Sequence, residues 1–386
     1  MRWFVGILAI VSAAIAATLL VGPRMVEDRL NTVEPHSPYA ISKAARSLHK
    51  TINLADLHAD SLLWGRDLLV RGTRGHVDVP RLVEGRFAVQ VFSAVTKTPR
   101  GQNYSRNTPD SDSITELAIL NLWPTATWSS LAERAVYQAG RLQAMADKSP
   151  EALVVLKSRD DLERVLSLRA KGSNIVGGLL ETEGAHPLEG RIENIKQFYD
   201  AGFRMIGLHH FFDNEIGGSL HGTSHAGLTP FGYQVVKAIE EQGMIVDLAH
   251  SSEQTASDVL HIATKPVIVS HTGVRGACNS PRNLTDDTMK AIAARGGLIG
   301  IGFWEGAVCD YSPAGVVKSI RYAVDLVGVD HVALGSDYDG STTTKFDASE
   351  SAVLVDEMLK AGFTEEEIRK VSGENEIRFF LERLPQ

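Results

Sequence analysis

Eight short apolar runs, each followed by a segment with a helical pattern, constrain the fold of this chain more than any other feature. Each run is continuously apolar, as expected of strands whose two faces are both buried in a parallel sheet. A strand–helix unit repeated eight times predicts an α/β fold, the (β/α)8 TIM barrel. The predicted strands are Ile52–Leu57, Phe87–Val95, Ile175–Leu180, Met205–Leu208, Met244–Leu248, Val267–Ser270, Leu298–Phe303 and His331–Gly335.

Helical patterns fill the connections between these runs, and a glycine directly follows four of them, which is a usual signal for the end of a helix. These four predicted helices are Arg191–Ala201, Phe231–Gln242, Asn283–Arg295 and Ser312–Val327.

The stretch between the second and third strands, residues 97–172, is too long for a single connection. Its pattern predicts a helical insertion after strand 2 that caps one side of the barrel. The last forty residues predict C-terminal helices that pack under or beside the barrel, so the barrel domain is expected to span residues 51–386. These additional helices are Ser113–Leu122, Leu131–Ala146, Arg159–Ala170, Thr364–Val371 and Glu374–Leu384.

The N-terminal segment, residues 1–22, is predicted to lie outside the folded domain. From Trp3 to Gly22 it is apolar except for Ser12 and Thr18, and about 20 such residues can cross a bilayer as a helix. A cleavable signal peptide has a shorter apolar core, so an uncleaved signal anchor is favoured, with cleavage as the alternative. Both predict an exported catalytic part, either anchored in the inner membrane and facing the periplasm or secreted. Residues 23–50 are then a linker and an approach helix.

Composition excludes several classes of protein. The net charge is −8 and the pI is near 5.9, which argues against a nucleic-acid-binding protein. Only two cysteines are present, Cys278 and Cys309, so a cysteine-based structural zinc site is excluded. The two cysteines could pair in an exported protein, or they could be two small core side chains. Metal ligands must come from carboxylates and from the thirteen histidines.

Histidines and carboxylates follow six of the eight predicted strands, at the ends where barrel enzymes carry their active sites. Random placement would scatter such residues over the helices and the opposite rim. The coincidence therefore predicts one shared site. Its candidates are His58 and Asp60, Glu183, His209 and His210, His250, His271, and Asp337.

The His58-x-Asp60 spacing indicates metal binding. In an extended chain, residues two apart point the same way, so both side chains can face the barrel mouth. Imidazole together with carboxylate suits Zn²⁺ or another first-row divalent ion. With further histidines and a carboxylate available, two ions can share one bridging carboxylate.

Several segments, taken together and in this order, resemble the membrane (renal) dipeptidase family. The resemblance runs from about residue 50 to 384, which is nearly the whole chain outside the apolar N-terminus. The matching segments are Asp56-Leu57-His58-Ala59-Asp60, Glu183-Gly184-Ala185-His186, Val246-Asp247-Leu248-Ala249-His250, Val269-Ser270-His271, Ser280-Pro281-Arg282-Asn283 and Gly335-Ser336-Asp337-Tyr338-Asp339-Gly340.

The resemblance implies a zinc-dependent, amidohydrolase-like dipeptidase that holds two Zn²⁺ ions per chain. It implies that His58 and Asp60 bind one ion, that His250 and His271 bind the other, and that Glu183 bridges both. It also implies three further roles: His210 contacts the substrate and the tetrahedral intermediate, Arg282 grips the free carboxylate, and Asp337 shuttles the proton. The family is often dimeric, and only that analogy indicates a homodimer.

Three of these assignments have a neighbouring competitor in the sequence. His209 competes with His210, but strand alternation puts only one of them in the mouth, and the resemblance selects His210. Glu181 is an alternative to Glu183. Asp339 could replace Asp337 if the chain turns there.

Other polar and aromatic residues near these positions are assigned with alternatives. His186, His221 and His225 are expected at the rim or in the substrate pocket and not as ligands. Asp247 is either a core carboxylate or one that orients a ligand. Trp64 and Trp304 either wall the pocket or pack in the core.

The sequence therefore predicts a metallo-dipeptidase that hydrolyses the peptide bond of a dipeptide by attack of a hydroxide shared between the two metals. The substrate keeps a free C-terminal carboxylate and could end in a D-residue. The alternatives are another amidohydrolase-like metal hydrolase, acting on a lactam, lactone or ester, and a non-catalytic, membrane-tethered binding protein. Loss of Arg282 should abolish most dipeptidase activity, which separates the first alternative from the prediction.

Overall fold

The computed structural model describes residues 4, 19 and 21–386. Within them, eight parallel strands follow one another around a barrel in sequence order. Asp60 donates its backbone N–H to the Tyr338 carbonyl across the closing seam at 2.9 Å. The predicted (β/α)8 barrel is confirmed. The strands are β1 (Leu54–Ala59), β2 (Phe87–Val95), β3 (Val176–Glu183), β4 (Phe203–Gly207), β5 (Ile245–Asp247), β6 (Ile268–Thr272), β7 (Leu298–Ile301) and β8 (Val332–Leu334).

Burial on both faces explains why the strands read as continuous apolar runs. Every residue of β2 and of β3 is buried. The Asp56 carboxylate strengthens the closure, because it accepts hydrogen bonds from the Gln90 side chain and from both the backbone and the hydroxyl of Ser336, each at 2.7 Å. One side chain thereby joins β1 to β2 and to the turn after β8.

The outer helices are short, and serine or threonine side chains cap several of them. Ser252, for example, accepts a hydrogen bond from the Thr255 backbone N–H, which satisfies a donor that the helix leaves free. Gly202 has a φ of 106° after the helix that it ends, a conformation that favours glycine. The helices that follow β1 and β3–β7 are Val79–Glu84, Asn194–Ala201, Pro230–Glu241, Glu253–Ile262, Asp286–Ala294, Glu305–Val308 and Pro313–Val327.

The predicted helical insertion follows β2. The insertion contains a short strand, Leu153–Val155, which no sequence pattern predicted. This strand pairs in parallel with β3. The buried Arg134 ties the insertion together through Asp112 and the Thr96 carbonyl. Its helices are Ser113–Leu120, Leu131–Lys148 and Arg159–Ala170.

The C-terminal helices pack against the barrel strands. Phe379 and Phe380 share an apolar cluster with Ala55 and Leu57 of β1. These helices are Ala352–Lys360, Glu365–Arg369 and Asn375–Arg383.

Residues 21–50, which precede β1, contact the barrel domain. Residues 21–30 are helical, Thr32–Val33 pairs in parallel with Thr343–Thr344, and Lys43–His49 forms a second helix. Within residues 4, 19 and 21–386, no helix combines the length and the apolar character needed to cross a membrane. Most of the predicted membrane segment lies outside the described residues.

Cys278 and Cys309 form a disulfide, with their Cα atoms 5.6 Å apart. It links the loop after β6 to the end of the short helix Glu305–Val308 after β7. Of the two alternatives for these cysteines, the structure has the paired one.

Candidate active site and metal centre

The polar residues that end the strands converge on Glu183. One oxygen, Oε1, lies 3.2 Å from His250 Nε2, 3.5 Å from His271 Nε2 and 3.7 Å from His58 Nε2. The other, Oε2, lies 3.2 Å from His210 Nε2. Four imidazoles from four strands therefore surround a single buried carboxylate.

Two more carboxylates complete the cluster. Asp60 Oδ1 lies 3.3 Å from His58 Nε2. The side chains of His58, Asp60 and Asp337 offer ligand atoms within 4.8 Å of one another, and so do those of His58, Glu183 and His271. All five residues predicted as metal ligands thus lie in one buried group.

The chemistry of this group fits divalent cations. His58 Nε2, Asp60 Oδ1 and Glu183 Oε2 are buried without a well-formed hydrogen bond, although buried polar atoms are normally satisfied. Burial raises the pKa of Glu183 well above its usual range, and the nearby Asp60 raises it further. Burial lowers the pKa values of His250 and His271. Burial also acts to lower the pKa of His58, but Asp60 and Glu181 outweigh it and raise that pKa well above its usual value. Such a set of carboxylates and imidazoles is what zinc binds.

Carboxylates behind the histidines orient them, as is usual for metal-bound imidazoles. His58 Nδ1 lies 3.0 Å from Glu181 Oε2. His271 Nδ1 lies 2.9 Å from the Ser270 hydroxyl, which donates to Asp247 Oδ2 at 2.7 Å. Glu181 therefore supports His58 from behind while Glu183 contacts the histidines, and Asp247 reaches His271 through Ser270.

The turn after β8 separates Asp337 from Asp339. Both residues have left-handed backbones, with φ values of 59° and 62°, and their side chains diverge. Asp337 faces the cavity, where burial raises its pKa to about 8. Asp339 accepts hydrogen bonds from Arg66 and Ser61 instead. Gly340 permits this arrangement, because a Cβ atom there would lie 2.0 Å from Asp337 Oδ1.

The adjacent histidines after β4 also point to different places. His210 reaches Glu183, and its Nδ1 lies 3.2 Å from the Lys97 carbonyl oxygen. His209 Nδ1 lies 3.1 Å from the Ser251 hydroxyl. Of the pair, it is His210 that lines the cavity.

Arg282 lies beside the metal cluster and is 1% exposed. Its Nη2 donates to the His271 carbonyl at 3.0 Å and lies 3.3 Å from His250 Nε2. The guanidinium carbon is 5.3 Å from the centre of the Trp304 ring. A buried guanidinium with unused donors, next to a cavity, can accept a carboxylate.

A cavity of about 460 Å³ opens above the cluster. Trp64 and Trp304 both line it, so the pocket-wall alternative describes their position. Tyr104 and Leu117 of the insertion also line the cavity, and no sequence pattern predicted their position there. Further lining residues are Val26, Leu30, Leu63, Val95 and Ile114.

Three other histidines lie around the site. His186 is 2.9 Å from the Thr96 hydroxyl, His221 Nδ1 is 3.0 Å from the Tyr104 carbonyl oxygen, and His225 is exposed. Among the described residues, none of the three belongs to a group that could hold a metal ion.

Comparison with known proteins gives consistent matches. A family model described as membrane dipeptidase, peptidase family M19, matches residues 42–383. Dipeptidase verJ from Clonostachys rogersoniana is 28% identical over 310 residues, which cover 78% of this chain and 74% of the relative.

Two solved structures share the fold. A metallopeptidase from Rhodobacter sphaeroides, liganded with a phosphinate mimic of the dipeptide L-Ala-D-Ala, has a TM-score of 0.72 at 23% identity, covering 86% of this chain and 99% of the other. Dipeptidase AC, a metallopeptidase of family M19, has a TM-score of 0.73 at 24% identity, with the same coverage.

The family match includes every strand of the barrel, the insertion and all of the clustered side chains. The predicted resemblance and the predicted enzyme class are therefore confirmed. This chain belongs to the membrane dipeptidase family of metallopeptidases.

Proposed function

We propose that this chain hydrolyses dipeptides with two zinc ions bound at the cluster around Glu183. The observation that carries the proposal is the contact of one buried carboxylate with four histidines, His58, His210, His250 and His271. In our assignment His58 and Asp60 hold one ion, His250 and His271 hold the other, and Glu183 is shared. When bound, the two ions supply a water made nucleophilic near neutral pH and polarise the scissile carbonyl.

The remaining polar residues bind substrate and move protons in this proposal. Arg282 binds the free carboxylate of the dipeptide through its planar fork of donors. His210 faces the oxygen that gains charge in the transition state. Asp337 takes a proton from the attacking water and passes it to the leaving amine. Asp337 is placed for this transfer, because it lines the cavity and lies in one group with His58 and Asp60.

Two observations support short peptides as the substrate class: the lining of the cavity and the ligand of a structural neighbour. A small cavity with one buried arginine suits a short peptide with a free carboxylate. The Rhodobacter sphaeroides neighbour is liganded with a mimic of L-Ala-D-Ala. We therefore include dipeptides with a C-terminal D-residue among the substrates.

The test is an assay of the purified full-length chain, in detergent, against L,L- and L,D-dipeptides. We expect cleavage by the zinc-loaded protein, none after chelation, and recovery when zinc is restored. Dipeptide amides are the matched control, because they lack the carboxylate that Arg282 binds. Failure of the zinc-loaded protein to cleave any dipeptide would contradict the proposal.

The variant Arg282→Lys separates a dipeptidase from a lactam, lactone or ester hydrolase on the same barrel. Lysine keeps the charge and loses the fork. We expect the KM for dipeptides to rise by about tenfold to a hundredfold, as for a lost charge-assisted hydrogen bond of roughly 1.5–3 kcal/mol. Ester hydrolysis, if present, should change little. An equal loss on both substrate types would argue against the carboxylate role.

We also propose that the protein is exported, either anchored by its N-terminal segment or released after cleavage. The disulfide Cys278–Cys309 supports this proposal, since such bonds persist in oxidising compartments. Cell fractionation combined with thiol labelling tests it. A cytosolic protein with two free thiols would contradict it.

We also propose a homodimer, by analogy with the family. Light scattering of the purified chain tests this proposal.

A further inference from the structure

The helix formed by residues 21–30 reaches the mouth of the active-site cavity. Val26 and Leu30 lie four residues apart on one face of this helix, and both side chains line the cavity. They remain 40% and 38% exposed. The proposed chemistry uses neither residue, so the presence of two apolar side chains at the substrate cavity requires another explanation.

The helix is fixed in place by polar contacts next to these two side chains. Glu27 is 1% exposed, and its carboxylate pairs with Arg66 and with Arg74. Directly after the helix, Asn31 accepts the backbone N–H of Ser341 at 2.9 Å. Because Arg66 also binds Asp339, the helix is joined to the turn that carries Asp337. The two apolar side chains are therefore held at the cavity by buried ion pairs.

We call the lining residues Val26, Leu30, Leu63, Ile114 and Leu117 the apolar wall of the cavity. Arg282 follows a different strand from these residues. Arg282 contacts His271 and His250, which belong to β6 and to the end of β5. Leu63 follows β1, and Ile114 and Leu117 come from the insertion; these three lining residues belong to one apolar cluster. Trp304 also lines the cavity, but it lies beside Arg282. In a dipeptide, the scissile carbonyl lies between the free carboxylate and the N-terminal residue. With the carboxylate at Arg282 and the carbonyl near Glu183, the N-terminal residue is the part left to contact the apolar side chains that line the rest of the cavity.

We propose that Val26 and Leu30 determine specificity by forming a subsite for an apolar side chain on the N-terminal residue of the dipeptide. This inference rests on the proposed function, since the direction of the substrate depends on carboxylate binding by Arg282. It makes the segment between the apolar N-terminus and the barrel a part of the substrate site.

The test compares the double variant Val26→Ala/Leu30→Ala with Met25→Ala in the full-length chain. Met25 lies on the same helix, is 65% exposed and does not line the cavity. For Leu-Ala we expect the double variant to raise KM by about tenfold, the usual effect of a few methylenes in an apolar pocket. For Gly-Ala and Gly-Leu we expect a change of less than about twofold, and Met25→Ala should leave all three substrates unchanged.

Binding gives a second measurement that does not need turnover. We would titrate phosphinate analogues of Leu-Ala and Gly-Ala by calorimetry and follow hydrogen exchange in residues 21–31. Protection of the helix by the Leu-Ala analogue, together with its weaker binding to the double variant alone, supports the inference. Equal losses for both analogues, or tight binding without protection, overturn it and leave the proposed function standing. If neither cleavage nor analogue binding occurs in the unmodified chain, both proposals fail.

Discussion

Two groups of buried carboxylates lie side by side at the barrel mouth: Glu183 and Asp337 in the first, Asp339 and Glu27 in the second. The pKa values of Asp337 and Asp339 are shifted in opposite directions. Burial raises the pKa of Asp337 to about 8 and that of Glu183 well above its usual range. Two residues along the chain, Asp339 is equally buried, but the Arg66 guanidinium overcomes the effect of burial and lowers its pKa. Glu27 completes that second group through its ion pair with Arg66.

The difference separates a functional group of acids from a structural one. In the first group, burial outweighs the opposing effects of His58 and Arg282, so the pKa values of Glu183 and Asp337 stay raised. The second group contains its own cations and needs no ligand. A raised carboxyl pKa alone does not identify the site, since burial also raises the pKa of Glu376 on a C-terminal helix. At the barrel mouth, the raised pKa values coincide with a cluster of imidazoles.

The largest expected effect is that of Glu183→Gln, which removes the shared carboxylate from the first group. We expect dipeptidase activity to fall by about 10³-fold or more, because several kcal/mol of charge stabilisation depend on the bound ions. Metal content, measured by plasma emission, should fall with activity. The thermal midpoint without metal should not decrease, because burial already disfavours the charged form of Glu183 and glutamine is neutral. A variant that binds zinc fully would contradict the assignment.

Asp337→Asn tests the proton carrier while leaving the predicted ligands intact. We expect kcat to fall by about 10²–10⁴-fold, the usual contribution of general acid–base catalysis. Zinc content should match that of the unmodified chain. An unchanged kcat would exclude Asp337 from proton transfer.

Asp339→Asn breaks the second group and should act on stability. The substitution leaves Arg66 with Glu27 as its remaining carboxylate partner. Removing one partner from a buried ion pair costs about 3–5 kcal/mol of folding stability. We expect a lower denaturant midpoint, with zinc still bound to the folded fraction. An unchanged midpoint would show that the ion pairs contribute no net stability.

The smallest expected effect is that of Ser270→Ala. This substitution removes the hydroxyl that links His271 to Asp247 and leaves all predicted metal ligands unchanged. Loss of such an orienting group weakens metal affinity by about 10–100-fold. A competition titration with a chromophoric chelator measures it. Ser319→Ala is a matched control, because Ser319 is a buried serine of the helix Pro313–Val327 and does not line the cavity. Equal affinities in the two variants would remove the orienting role.

Much of the fold could be predicted because it depends on local patterns. Strand β2 was predicted with its exact bounds, since nine buried residues in a row leave a clear apolar run. The helix Glu253–Ile262 was not predicted, although Ser252 caps it. The strand Leu153–Val155 was also missed, because three residues carry too little periodicity to be recognised.

By itself, the sequence determined the barrel and the chemical character of its mouth, because apolar periodicity fixes strands and strand ends fix which side chains meet. Only the tertiary structure decided between candidate residues that lie close to each other in the sequence. Glu181 and Glu183 share a strand face, and depth in the barrel separates them. Asp337 and Asp339 are separated by a left-handed turn and by Arg66, which lies far away in sequence. The place of Val26 and Leu30 at the cavity likewise depends on long-range ion pairs, which no local pattern encodes.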